Sequence, residues 1–114
     1  MTMTAVQADL TEAACLFRGL ADPSRLAVLR HLSEAGEQRV VDLTAHLGLA
    51  QSTVSRHLAC LAGCGLVTVR PQGRASLYAL AHPGPTLQLL ATAEALLAAT
   101  GADVVLCPES GLAS

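Results

Sequence analysis

The chain contains no Trp and no Lys, and its aromatic residues are limited to Phe17 and Tyr78. A core without many rings must be aliphatic, and the abundant Ala and Leu favour helices. No apolar run approaches the roughly 20 residues of a membrane-spanning helix, and the residues before Leu10 do not resemble a signal peptide. We therefore expect a largely helical, cytoplasmic protein without a membrane partner.

Acidic residues are missing from one long interval of the chain. None lies between Asp42 and Glu94, although this interval contains Arg56, Arg70 and Arg74. The middle of the chain is therefore locally basic and its ends are acidic, although the formal net charge of the whole chain is −2. A locally basic stretch gives modest support for a nucleic-acid surface, and an ordinary solvated charge distribution is the alternative.

The chain has 114 residues and four cysteines. This length indicates a single domain that would gain stability from a partner subunit. In the cytoplasm the thiols stay reduced, so metal binding or redox sensing is expected before a structural disulfide. Cys60 and Cys64 are four residues apart and would share one face of a helix. Thiolates are the ligands of soft metal ions.

The spacing of apolar residues changes from a helical to a strand-like period after Gly65. This change predicts a mainly α winged helix-turn-helix fold with about five helices and a β-hairpin wing. The predicted helices are residues 8–20, 23–36, 40–47, 51–63 and 86–100. The predicted strands are 66–70 and 75–80, joined by a turn at 71–74. Residues 1–7 are expected to form a flexible N-terminus, 8–100 the domain, and 101–114 a C-terminal tail.

The fourth predicted helix divides into three faces when its residues are placed at about 100° intervals. The core stripe is formed by Val54, Leu58 and Leu61. A polar face of small residues and one arginine lies opposite and suits a major groove; it comprises Ser52, Ser55, Arg56 and Ala59. A third face lies to one side and comprises Thr53, His57, Cys60 and Cys64. The two thiols therefore border both the core and the polar face.

We expect double-stranded DNA to contact this helix and the tip of the wing. The predicted contact residues are Gln51, Ser52, Thr53, Ser55, Arg56, His57, Arg70 and Arg74. Polar residues on a helix are often merely solvated, but the adjoining arginine-bearing hairpin strengthens the prediction. A homodimer would present two such helices roughly 34 Å apart.

Several segments resemble the ArsR/SmtB family over about residues 8–100. They are Ala-Asp-Pro-Ser-Arg25 with the following Leu-Ala-Val-Leu, the stretch Leu43-Thr-Ala-His-Leu-Gly-Leu-Ala-Gln-Ser-Thr-Val-Ser-Arg-His-Leu58, Gly65-Leu-Val, and the Gly73-Arg wing. The resemblance implies a homodimeric winged-helix repressor whose first and last helices form the dimer interface. It also implies that a bound metal or metalloid releases the DNA.

The metal sites of two family branches do not match this sequence. Arsenic sensors carry Cys-Val-Cys-Asp-Leu on the third helix, where this chain has Arg39-Val-Val-Asp-Leu43. Zinc and nickel sensors use Asp, His and Glu on the last helix, where only His82 and Glu94 are available, at unsuitable spacing.

The stretch Leu58-Ala-Cys-Leu-Ala-Gly-Cys-Gly-Leu66 resembles the CmtR-type cadmium and lead sensors. That resemblance implies a site for Cd²⁺ or Pb²⁺, with Zn²⁺ as a further candidate, made by Cys60, Cys64 and a tail thiol, here Cys107. Whether Cys107 serves its own or the other subunit stays open. Cys15, alone on an apolar helical face, is expected in the core, and whether it is an additional ligand stays open.

Two other functions compete with a metal-responsive repressor. One is a redox-responsive repressor in which Cys60 and Cys64 oxidise, although a disulfide within one helix is geometrically awkward. The other is a cysteine-dependent enzyme. We do not expect an enzyme, because C-x-x-x-C is not the C-x-x-C of thiol oxidoreductases and no acid–base group accompanies the thiols.

Overall fold

The computed structural model describes residues 5–106, with side chains described from residue 9 onward. These residues form five helices and three short strands. In chain order they are α1 (Ala5–Leu20), α2 (Pro23–Ala35), β1 (Gln38–Arg39), α3 (Val40–Leu47), α4 (Gln51–Gly63), β2 (Val67–Gln72), β3 (Ala75–Leu80) and α5 (Pro83–Ala99). The predicted winged helix-turn-helix arrangement is confirmed. Within residues 5–106, no helix is both long and apolar enough to cross a membrane.

Two helices begin earlier than the sequence predicted. Helix α1 begins at Ala5, inside the segment that was expected to be a flexible N-terminus. Helix α5 begins at Pro83 instead of residue 86. Proline is tolerated in the first turn of a helix because the N–H groups there have no partner within the helix. The Pro-Gly-Pro sequence therefore opens this helix instead of preceding it.

Helix α2 has the start that its sequence predicted. Asp22 Oδ1 accepts hydrogen bonds from the backbone N–H groups of Ser24 at 2.8 Å and Arg25 at 3.1 Å, and Pro23 occupies the first turn. The hydrogen bond from the Arg25 N–H is the largest cause of a lowered pKa of the Asp22 carboxyl. This cap fixes the junction between α1 and α2, against which α4 is placed.

The wing is the antiparallel hairpin β2–β3, and β1 pairs with the other side of β3. The two-residue strand β1 was not predicted. Strand β2 runs through Pro71 to Gln72, so the predicted four-residue turn is only the two residues Gly73 and Arg74. Proline is tolerated because β2 is an edge strand. Gly73 has φ 62°, the left-handed conformation that tight hairpin loops require.

The core lies where α2, α3 and α4 meet. Its fully buried side chains, each 0% exposed, are Val28, Leu29, Leu43, Val54, Leu58 and Leu61. The predicted core stripe of α4 is thus confirmed. Between α3 and α4, Gly48 has φ 69° and donates its N–H to Thr44 O, which closes α3 and turns the chain into α4. Burial of one stripe fixes which face of α4 points outward.

Candidate nucleic-acid interface and thiol cluster

The outward face of α4 is polar and accessible. Gln51, Ser52, Ser55 and Arg56 are all exposed, and Thr53 is half-buried. Hydroxyl, amide and guanidinium groups can all donate hydrogen bonds to phosphate oxygens or base edges. The first two turns of α4 therefore present a set of donors that can enter a groove of duplex DNA.

The two predicted wing cations have different surroundings. Arg74 is exposed in the hairpin loop. Arg70 instead forms a two-pronged ion pair with Glu37, with Nε–Oε2 at 2.6 Å and NH2–Oε1 at 2.8 Å. This hydrogen-bonded pairing lowers the pKa of Glu37 and raises the pKa of Arg70. Arg70 thus ties the wing to the segment before β1 while its charge is partly neutralised.

His57 does not lie on the exposed face of α4. Its side chain is buried, and the residue is only 8% exposed. The imidazole lies against the start of α2, with Nδ1 3.5 Å from an Arg25 guanidinium nitrogen and Nε2 3.9 Å from Asp22 Oδ1. The sequence placed His57 on the side face of α4 and also among the predicted DNA contacts. The structure shows it buried beside the start of α2, whereas the other predicted contacts on α4 are exposed or half-buried.

At the C-terminal end of α4, Cys64 contacts α1 and brings two thiols together. Cys60 and Cys64 are both half-buried, as the helical angles predicted. The sulfur of Cys64 lies 3.6 Å from the sulfur of Cys15 and 3.5 Å from the Cys15 carbonyl oxygen. Cys15, which was assigned to the core, is thus a neighbour of the pair on α4.

A glycine makes this close approach of α1 and α4 possible. A Cβ atom added at Gly19 would lie 3.1 Å from the Cys64 sulfur, tighter than ordinary contact. Cys15 and Gly19 are four residues apart and lie on the same side of α1. The sequence contained this signal, a small residue one turn after a cysteine, but it does not reveal which helix approaches.

The thiols influence one another electrostatically. Burial is the largest cause of a raised pKa of the Cys64 thiol, and the neighbouring Cys15 and Cys60 raise it further. A second thiolate here would repel the first, whereas a cation among the sulfurs would favour ionisation. The donor set therefore fits a soft metal ion. Within residues 5–106, however, no three Cys, His, Asp or Glu side chains already form a metal-holding group. The predicted ligand Cys107 lies outside the described residues.

The segment after α5 is held against the domain through its backbone. An Arg30 guanidinium nitrogen donates to Val105 O at 3.1 Å. The buried carboxylate of Glu94, 8% exposed, accepts a hydrogen bond from the Leu106 N–H. Residues 105 and 106 of the predicted tail thus lie beside α2 and α5.

An apolar groove lies between α1, α2 and α5 and continues to the Leu106 side chain. Its volume is about 490 Å³. Phe17 and Leu96 contribute to its lining, although they are 59% and 67% exposed. Large apolar side chains left this accessible on adjoining helices are typical of a surface that another protein covers.

Comparison with known proteins identifies the domain. The family described as bacterial regulatory protein, arsR family, matches residues 22–69. The transcriptional regulator CmtR of Mycobacterium tuberculosis strain H37Rv is 52% identical over 68 residues, which are 60% of this chain and 57% of that protein. The matched stretch thus spans little more than half the length of CmtR.

Two further matches cover a larger share of the matched protein. The uncharacterized regulator Rv0081 of the same M. tuberculosis strain is 35% identical over 89 residues, which are 78% of this chain and 77% of that protein. The solution structure of the cadmium metal-sensor CMTR from M. tuberculosis superposes with a TM-score of 0.57 at 46% identity, covering 67% of this chain and 78% of that one. The winged helix-turn-helix fold of this chain agrees with its similarity to these regulators. The chain belongs to the ArsR family of transcriptional regulators.

Proposed function

We propose that the protein is a metal-responsive transcriptional repressor. It binds operator DNA as a metal-free homodimer and releases it when cysteine thiolates bind a thiophilic ion, Cd²⁺ or Pb²⁺. The observation that carries the proposal is the placement of two thiols on α4, the helix that also presents the polar face. A ligand held by Cys60 and Cys64 acts directly on the element that contacts DNA.

The DNA-contacting set consists of exposed donors on α4 and at the wing. Its members are Gln51, Ser52, Thr53, Ser55, Arg56 and Arg74. Arg70 lies on the same wing and is ion-paired with Glu37. Arg56 makes no ion pair within residues 5–106 and is fully available to phosphate. Strand β1 pairs with β3, and the ion pair between Arg70 and Glu37 adds a second, exposed contact between the wing and the segment before α3.

The homodimer is supported by the groove between α1 and α5. A second copy that covers Phe17 and Leu96 would remove the apolar groove from water, and Leu10 on α1, which is 62% exposed, is a further apolar side chain that it could cover. A two-fold dimer presents two copies of α4 to successive turns of the major groove.

The metal site takes Cys60 and Cys64 from one protomer and a further thiolate from Cys107. When bound, the ion supplies positive charge among otherwise repelling thiolates. Zn²⁺ prefers a closed tetrahedral set, whereas an all-sulfur site with three ligands suits softer ions. The similarity to the cadmium metal-sensor CMTR supports this choice of metal class.

The test is a titration of the full-length protein with Cd²⁺, monitored by the ultraviolet thiolate-to-metal charge-transfer band. A parallel anisotropy experiment uses duplex DNA from upstream of its own coding sequence. We expect one equivalent of Cd²⁺ per protomer to develop the band and release the DNA. The Cys60→Ser, Cys64→Ser double variant should bind DNA normally. On addition of Cd²⁺ it should neither develop the charge-transfer band nor release the DNA. Strong Cd²⁺ binding by that variant would refute the assignment.

Oxidation of Cys60 and Cys64 is the second candidate function, and the structure favours it less. The reactive form of cysteine is the thiolate, and the raised pKa of Cys64 reduces its thiolate fraction at neutral pH. Treatment with hydrogen peroxide should therefore leave DNA affinity largely unchanged under conditions in which Cd²⁺ abolishes binding.

A further inference from the structure

We infer that Cys15 on α1 is a ligand of the same metal site, which makes the site a clamp between α1 and α4 of one protomer. The inference rests on the proposed function and adds a residue that the family resemblance does not supply. It is based on the distance of 3.6 Å between the sulfur atoms of Cys15 and Cys64.

The separation of the two sulfurs is close to that imposed by a shared metal ion. Two thiolates on a tetrahedral zinc ion at about 2.3 Å lie about 3.8 Å apart. The sulfurs of a disulfide are about 2.05 Å apart. The observed 3.6 Å is a non-bonded contact between two thiols, and because it is similar to the first value the two sulfurs could bind one ion without a large movement.

The third sulfur of the clamp comes from Cys60. It is one turn before Cys64 on α4 and close enough to influence the Cys64 thiol. In residues 5–106 the three thiols are not arranged around one point, so the inference requires the Cys60 side chain to move when the ion binds. The ion then joins α1 to the C-terminal half of the helix whose first turns face DNA.

Gly19 is the structural requirement for this clamp. It lets Cys64 approach α1, and any larger residue meets the sulfur at 3.1 Å. Ala is a better helix former than Gly, so a Gly19→Ala variant should fold. The substitution keeps every thiol but displaces Cys64 from Cys15. The variant therefore tests whether the position of Cys64 relative to Cys15 matters when the number of thiols is unchanged.

The experiment measures Cd²⁺ binding to full-length, fully reduced protein by charge-transfer absorbance and by competition with a chelator. The Cys107→Ser variant isolates the three described thiols. In that background, Cys15→Ser should remove about one third of the band and weaken Cd²⁺ binding by about tenfold or more. Gly19→Ala should weaken binding when Cys15 is present and have no effect when Cys15 is Ser. The control Ala14→Ser, at an exposed position on α1, should behave like its parent.

The outcomes separate this inference from the proposed function. If Cys15→Ser matches its parent in band intensity and affinity while Cys60→Ser abolishes binding, the inference is wrong and the proposed function stands. If Cys60→Ser and Cys64→Ser leave binding intact, both are wrong. Circular dichroism of each variant verifies folding, and Cys15→Ala provides a second test if the Ser variant unfolds. A further outcome would also overturn the inference. If hydrogen peroxide rapidly removes two titratable thiols and the Cd²⁺ band does not depend on Cys15, the neighbouring cysteines are a redox pair and Cys15 is not a metal ligand.

Discussion

Replacing Arg56 by Ala tests the docking of α4 on DNA with a predicted magnitude. Arg56 is exposed on the second turn of α4 and has no ion-pair partner within residues 5–106. One phosphate contact contributes about 0.9 to the slope of log affinity against log salt concentration, so two copies in a dimer contribute about 1.8. Between 50 and 200 mM salt, the wild type should therefore lose about tenfold more affinity than Arg56→Ala.

The assay is fluorescence anisotropy with the upstream duplex at four or more salt concentrations. The variant should be weakest relative to wild type at low salt, and the two curves should converge as salt rises. Arg56→Lys keeps the charge and should restore the slope. Arg30→Ala removes the same charge on the side that contacts Val105 and should leave the slope unchanged. Equal slopes for wild type and Arg56→Ala would show that this residue does not contact phosphate.

The remaining predictions concern stability, the wing, the dimer and the tail. Leu58→Ala, at a fully buried position, should lower the free energy of unfolding by about 2–5 kcal/mol in urea titrations, whereas Val69→Ala, 51% exposed, should change it by less than about 0.5 kcal/mol. Arg70 lowers the pKa of Glu37, so the pair stabilises the fold at pH values above the ordinary Glu pKa. This contribution is lost as the pH falls through the lowered pKa of the folded state. In the Arg70→Ala variant, an NMR titration should show the Glu37 pKa back at its usual value. Phe17→Asp should yield monomers in sedimentation equilibrium, and persistence of a dimer would place the interface elsewhere. Cys107→Ser should bind DNA normally but respond less to Cd²⁺, and DNA should weaken Cd²⁺ binding by the same factor, corresponding to about 1–3 kcal/mol.

The sequence was sufficient to predict elements that depend on local periodicity. The core stripe of α4, the cap at Asp22 and the hairpin all follow from spacing and turn chemistry, and the structure contains each of them. Strand β1 could not be predicted, because its two residues have no pattern of their own and exist only as partners of β3.

The candidate site was predicted less completely, for a reason that lies in tertiary packing. Helical angles placed Cys60 and Cys64 together, but they contain no information about which element would pack against that face. Cys15 is 49 residues from Cys64, and only the approach of α1 brings their sulfurs together. The inward position of His57 likewise depends on α2, whose capped start occupies the space beside it.

The two side-chain hydrogen bonds that Arg30 and Glu94 make to the segment after α5 both go to its main chain. Arg30 binds the carbonyl of Val105, and Glu94 binds the amide of Leu106. Replacement of either Val105 or Leu106 by any residue except proline therefore keeps the main-chain groups that make these two hydrogen bonds, although the Leu106 side chain also lines the apolar groove. Proline at position 106 is the exception, because it has no amide hydrogen to offer Glu94 and would leave a buried carboxylate without that donor.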